Sequence, residues 1–244
     1  MADVKNIIVG AAQIFVSTGT GLSRPDTTAP ALFGATASQS ARTTLIGSSS
    51  WRDVGYTNSG LEVSYEPGYN DVMVDQLLDA ARLFKATIKV MLKTELTEGT
   101  LQNINLVFGQ AESQYVYSGS VGSSVPILSG SYTAGTASTG SAALNIAAGA
   151  LGDAPVERSI VAVGNAPGNI TTSASTSASG TVVTSGARTE RVYVARRVVQ
   201  IEASSHGLKR DSATVFPVQF RCLPDDADKY DGAEYGIIID RVLG

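Results

Sequence analysis

The chain of 244 residues contains one cysteine, one histidine and one tryptophan. A lone Cys222 excludes an intramolecular disulfide and any cysteine-rich zinc site. Cys222 alternates with Phe216, Val218 and Phe220, so it reads as a small core hydrophobe rather than a nucleophile. His206 sits in Ser-Ser-His-Gly-Leu-Lys and reads as an exposed turn residue rather than a catalytic base. Charge is sparse too. Only 16% of residues are charged and the net charge is −4, so there is no basic excess with which to grip phosphates. No apolar run approaches the roughly 20 residues that span a bilayer. The opening Met-Ala-Asp-Val-Lys-Asn-Ile-Ile-Val-Gly lacks the long apolar stretch of a signal peptide, and assembly in the cytoplasm is the expectation. Glycine-rich pieces such as Gly119-Ser-Val-Gly-Ser-Ser lack the Gly-Lys-Ser/Thr ending of a phosphate loop. No cofactor, metal or enzymatic activity is expected.

What is present is alternation. Phe84, Ala86, Ile88, Val90 and Leu92 fall on one face of a predicted strand; Lys85, Thr87, Lys89, Lys93 and Glu95 fall on the other. Period two is what a sheet with one buried and one wet face requires. Upstream, Leu61, Val63 and Tyr65 alternate with polar residues, and Val72 and Val74 alternate with Asp71 and Asp75. Between them Glu66-Pro67-Gly68-Tyr69-Asn70 carries a type II turn signal, which predicts a hairpin. Downstream the period changes. Thr97 and Glu98 suit a helix start, Leu101, Ile104 and Phe108 share a helical face, and Gly109 suits its stop. The fold class implied is mainly β with one short flanking α-helix and long loops, in a single domain over 1–244.

The run from Trp51-x-Asp-Val-Gly-Tyr through Gly-Leu-Glu-Val-Ser-Tyr, Val-Asp-Gln, the alternating strand and Leu-Thr-Glu-Gly-Thr-Leu-Gln-Asn to Phe-Gly resembles the major tail tube proteins of long-tailed (siphovirus-like) bacteriophages. The resemblance extends over residues 6–18, 51–109 and 187–243. It implies a β-sandwich or half-barrel whose strands join between subunits into a tubular β-barrel. It further implies stacked, hexameric rings in the virion tail, assembled in the host cytoplasm. Their channel holds the tape-measure protein and conducts DNA without reading its sequence. The segment 66–82 is then expected to make contacts between rings. Candidate subunit-interface residues are Trp51, Asp53, Tyr56, Glu66, Pro67, Gly68, Tyr69, Asp75, Arg191, Arg196 and Arg197.

Other stretches are less patterned. Residues 6–18 read as a strand, and 19–50 as a long loop that would lie against a neighbouring subunit. The region 113–186 is rich in Ser, Gly, Ala and Thr and reads as an insertion or decoration. It carries short strands near Val125-Pro-Ile-Leu and Ala143-Leu-Asn-Ile and a fuller one at 156–163. Arg191, Arg196 and Arg197 place arginine on both faces of a β-prone run, which suits one side meeting another subunit or a wet channel. Pro217 requires its strand to be at an edge or to break there.

Several features carry two readings. Trp51 is either a core anchor or a subunit contact. Lys85, Lys89 and Lys93 are either a basic patch for DNA or a face solvated or paired between subunits, which Glu95 favours. Asp71, Asp75 and Asp79, and Asp225, Asp226 and Asp228, are read as solvated turns, with a divalent ion at 225–228 as the lesser alternative. The alternative to a tail tube subunit is a β-sandwich surface adhesin or carbohydrate-binding module, which the 7% aromatic content disfavours. A glycosidase using two aspartates rests on the acidic clusters alone.

Overall fold

A computed structural model describes residues 8, 10–18, 22–33, 36–37, 39–73, 82–118, 124–127, 130–133, 141–167, 188–202, 204–208, 210–211 and 213–243. The chain is mainly β. Its strands are β1 (Gln13–Ser17), β2 (Thr36–Ala37), β3 (Trp51–Asp53), β4 (Thr57–Val72), β5 (Arg82–Leu96), β6 (Tyr115–Ser118), β7 (Ser124–Ile127), β8 (Gly130–Thr133), β9 (Ser141–Leu144), β10 (Glu157–Asn165), β11 (Arg188–Gln200), β12 (Phe216–Cys222) and β13 (Gly236–Leu243). The helices are α1 (Pro25–Thr28), α2 (Ala41–Ile46) and α3 (Leu101–Val107).

One open sheet of eight antiparallel strands dominates, in the order β3-β1-β10-β11-β12-β5-β4 with β13 beside β11. The short β2 adds to β13 in parallel. The sheet forks at β11. One edge of β11 pairs with β10, whereas the other is shared, Arg188–Ala195 with β13 and Val198–Gln200 with β12. The fork explains Pro217. Among the described residues Phe216–Val218 have ladder partners only in β5, so the proline sits where β12 lacks a ladder on its β11 side and no amide donor is missed.

The alternation of β1, β10 and β11 buries both of their faces. On one, Ile14, Val16, Ile160 and Ala162 cluster with Leu92, Leu96, Phe216, Val218, Phe220 and Cys222 from β5 and β12, joined by Leu106 and Val107 of α3. On the other, Phe15, Val161, Val163, Val192 and Val194 pack against Ala29, Leu32, Ala41 and Leu45. This second layer corrects the reading of 19–50 as a loop against a neighbour. The segment's described residues cover this chain's own sheet. Its anchors are two leucines and small alanines, and Ala41 and Leu45 share a face of α2 at helical spacing.

A buried charge network holds that layer. Arg241 is fully buried and donates to the carbonyls of Ala31 (2.9 Å), Leu32 (3.2 Å) and Gln39 (2.7 Å). Its Nε lies 2.7 Å from Glu190 Oε1 but off line for a hydrogen bond, so that contact is ionic. Glu190 in turn accepts from Ser40 Oγ (2.7 Å) and from the Ala41 amide (2.8 Å) at the start of α2.

The helix after β5 is present with a shifted start. Thr100, not Thr97, is its N-cap and accepts from the Asn103 amide. Glu98 instead accepts from the Tyr56 amide at 3.0 Å. Gly109 follows with φ +63, as a left-handed helix stop requires. In the middle region β6 pairs with β9 and β7 with β8, matching the short strands expected there, and β10 matches the fuller one. Residues 168–187 lie outside the described residues.

Candidate interaction surface

The expected turn at 66–70 does not exist. β4 runs unbroken through Pro67 and Gly68, paired with Ile88 and Thr87, to Val72 opposite Arg82. Pro67 is tolerated because β4 is an edge strand with one side unpaired among the described residues. Gly68 does not take a left-handed conformation; it is needed for space, since a Cβ would stand 2.3 Å from Thr87 Oγ1. β4 and β5 therefore form one long arm. Its root is buried at Leu92, Thr94 and Leu96, and its distal part is exposed.

A bulge at Ala86 changes the phase of the arm. Gly68 pairs with Thr87 but Tyr69 pairs with Lys85, so Ala86 is the extra residue. This corrects the simple alternation. Residues opposite one another share a face, so Lys85 moves to the Tyr69 face, where its Nζ donates to Tyr65 Oη at 3.0 Å. Phe84 moves to the other face, opposite Asn70. The three lysines therefore do not form one basic patch. Lys89 and Lys93 lie directly opposite Glu66 and Glu62, which neutralises that face.

The arm is apolar as well as exposed: Tyr65, Tyr69, Val72, Met73, Leu83 and Phe84 are all more than two-fifths open to solvent. Beside its root, at the fork of the sheet, lies an apolar groove of about 190 Å³. Leu61, Val63 and Val90 line one wall and Tyr193, Ile237 and Ile238 the other. β13 contributes Ile237 and Ile238 along an edge that, among the described residues, β2 covers at Val242 and Leu243 alone.

The other expected interface residues divide sharply. Tyr56 is 80% exposed. Glu66 and Tyr69 are exposed, and Pro67 and Gly68 half-buried, on the arm. Asp53 accepts from the Gln13 amide and from the Gly55 backbone amide. Trp51 is committed to this chain's core, its Nε1 donating to Thr28 Oγ1 at 3.0 Å. Asp75 and Asp79 lie outside the described residues.

The arginines do not need a neighbour. Arg191 makes two bonds, 2.5 and 2.7 Å, to Asp240 directly across from it, and this bond raises its pKa. A register shift in β10–β11 re-aims the next two. Arg196 donates to the Ala233 carbonyl and lies 4.1 Å from the Tyr230 ring centre, whereas Arg197 grips Glu157 at 2.7 and 3.0 Å. Arginine on both faces thus reflects pairing within the chain, which corrects the argument for a partner at that strand. Sequence alone could not show this, because Glu157, Tyr230 and Asp240 are distant along the chain.

The remaining chemistry-bearing residues are structural. Burial pushes the Cys222 thiol up to about 12, far from a reactive thiolate. His206 is half-buried rather than exposed, its ring 4.7 Å from that of Phe216 and 6.0 Å from Phe108. Asp225 is buried against Arg24 at 2.5 and 3.1 Å, which overturns the solvated-turn reading for it. Among the described residues no group of three or more metal-ligating side chains occurs. No helix among them is long and apolar enough to cross a membrane. No family model matches the sequence, and no curated protein matches it.

Proposed function

We propose that the chain is a structural subunit of a phage tail tube, built to assemble with copies of itself. The observation that carries this reading is the β4–β5 arm, which holds six large apolar side chains in solvent on or next to a strand pair whose outer edge has no partner among the described residues. A monomer gains nothing from such a feature and risks uncontrolled association. Ring closure converts the liability into an interface, by pairing edges and by burying the arm on a neighbour. In the full reading, the packing of β12, β5 and β4 against β1, β10 and β11 is one subunit's sandwich or half-barrel. Six such subunits close a ring whose β-barrel channel holds the tape-measure protein and later conducts DNA. The arm, residues 66–82 included, reaches the next ring. A mildly acidic chain suits a channel that must not retain phosphates.

The test is negative-stain electron microscopy of the isolated protein with sizing in solution. Rings or hollow tubes of uniform diameter are expected, and a chain lacking 66–82 should not stack. A monomer at high concentration that binds glycans would overturn the reading in favour of a surface adhesin or carbohydrate-binding module. Normal tubes from the chain lacking 66–82 would remove the arm from the stacking interface.

A further inference from the structure

Beyond Gly68 the arm is a two-stranded ribbon with both faces wet. Tyr69 to Val72 on β4 and every residue from Arg82 to Thr87 on β5 are exposed. Register in a ribbon is pinned where one face is buried, because a one-residue slip would carry the apolar set into water. The root of the arm has that constraint through Leu92 and Leu96; the distal part does not.

Two local features hold the register described. The bulge leaves Ala86 without a partner, next to the close approach of Gly68 and Thr87. Lys85 Nζ bonds Tyr65 Oη, an exposed contact of the kind that contributes little. Against them stands the unbroken alternation of Phe84, Ala86, Ile88, Val90 and Leu92. A ladder that obeyed it would place Tyr69 opposite Ala86, Asn70 opposite Lys85, Asp71 opposite Phe84 and Val72 opposite Leu83, with no residue left unpaired.

We propose that the distal arm is a two-register element, exchanging between the bulged ladder, with Phe84 opposite Asn70, and a slipped ladder, with Phe84 opposite Asp71. The exchange carries the Phe84 ring and the Lys85 ammonium to opposite faces of the ribbon. A surface that covers one face therefore selects one register, while the free chain samples both. The exchange belongs to the isolated chain, whatever it assembles into.

Cysteine pairs report the two ladders. The full chain carrying N70C with F84C crosslinks in the bulged register, and D71C with F84C in the slipped one. Oxidation at low protein concentration followed by proteolysis and mass spectrometry reads crosslinks within a chain; Cys222 is buried and does not compete. Both pairs are expected to crosslink. Deleting Ala86 makes the bulged pairing regular and removes the reason to slip, so the 71–84 crosslink should then slow by about tenfold or more. Tyr65→Phe removes the partner of Lys85 and should speed the 71–84 crosslink about two- to fivefold. If the 71–84 pair closes no faster in the full chain than in the Ala86 deletion, while 70–84 closes readily, the arm has one register and the proposal fails. Failure of 70–84 in every background also overturns it, since the bulged ladder would then not be populated.

Discussion

Glu190→Gln is the most informative single change to the fold. Glu190 is 5% exposed and Arg241 wholly buried, so the substitution leaves a guanidinium in the interior without a counter-charge. Breaking a buried pair from one side costs about 3–5 kcal/mol, far more than the net worth of the pair. Glutamine keeps one oxygen, which can still accept from Ser40 or from the Ala41 amide, so the lower end of that range, about 3 kcal/mol, is expected. Arg241→Met removes the opposite partner and also strips the donors from the carbonyls of Ala31, Leu32 and Gln39. Of these only the Leu32 carbonyl is buried, and orphaning it adds about 1–3 kcal/mol to the cost of leaving Glu190 unpaired, so this variant should be worse, by about 5 kcal/mol.

The assay is equilibrium urea unfolding read by the fluorescence of the sole tryptophan, Trp51, which lies in the same cluster as the layer the network holds. The double variant completes a cycle, and a coupling of about 1–3 kcal/mol between the two sites is expected. A loss of less than about 1 kcal/mol for Glu190→Gln, the size of a solvent-exposed pair, would refute the claim that this network anchors Ala31, Leu32 and the start of α2.

Three further outcomes can be checked together. The bond from Arg24 holds Asp225 below the usual carboxylate range; for Asp26, burial acts upward but the bonds from Lys229 and Tyr230 outweigh it. Both carboxylates contribute stability that is complete above the unfolded value and lost as pH falls through the folded one. Acid unfolding should therefore steepen below about pH 4, and Asp225→Asn should be less stable at pH 7 with a flatter acid limb. Native protein should leave Cys222 unmodified by a thiol reagent at pH 8, and react only on unfolding, because burial holds the thiol near 12. Asn103→Ala removes the bonds to Val54 O (2.8 Å), Glu98 O (2.9 Å) and Arg52 (2.6 Å), and should cost about 3 kcal/mol in the same urea assay.

Much of the sheet was legible because its strands are periodic. Of the strand expected over 6–18 the described residues form one only at Gln13–Ser17, whereas the patterns at 84–95, 156–163 and 216–222 became strands and the change of period at 101–109 became a helix. Two kinds of feature were not legible. The first is context. Pro67-Gly68 is a strong turn signal, and only the unpaired edge of β4 and the close approach of Thr87 convert it to strand. The second is pairing at a distance. Arg24 with Asp225, Arg191 with Asp240 and Arg241 with Glu190 are separated by long stretches of chain, so burial of the charges could not be read locally. The covering layer around Ala29, Leu32, Ala41 and Leu45 is illegible for a related reason, since alanine carries little apolar signal though it packs well beside two leucines.

These two failures point the same way. Where the chain has a core of its own, it satisfies its buried charges internally, down to arginines that looked destined for a neighbour. Exposed apolar side chains occur elsewhere too, at Ile46, Ile146, Leu151 and Leu208, but among the described residues one flank gathers several of them on adjoining strands: the arm, the groove at the fork and the edges of β4 and β13. Charged partners confer geometry, and apolar side chains without partners do not. A surface of that composition is adaptable until something covers it. The Ala86 bulge lies inside this flank, at the point where burial stops dictating register. Assembly, if it uses the arm, must then supply the constraint that the isolated chain lacks. The crosslinking ratio between the 70–84 and 71–84 pairs should accordingly shift to a single value when the protein is oxidised as tubes. An unchanged ratio would mean that the arm's distal part makes no ordered contact with a neighbour.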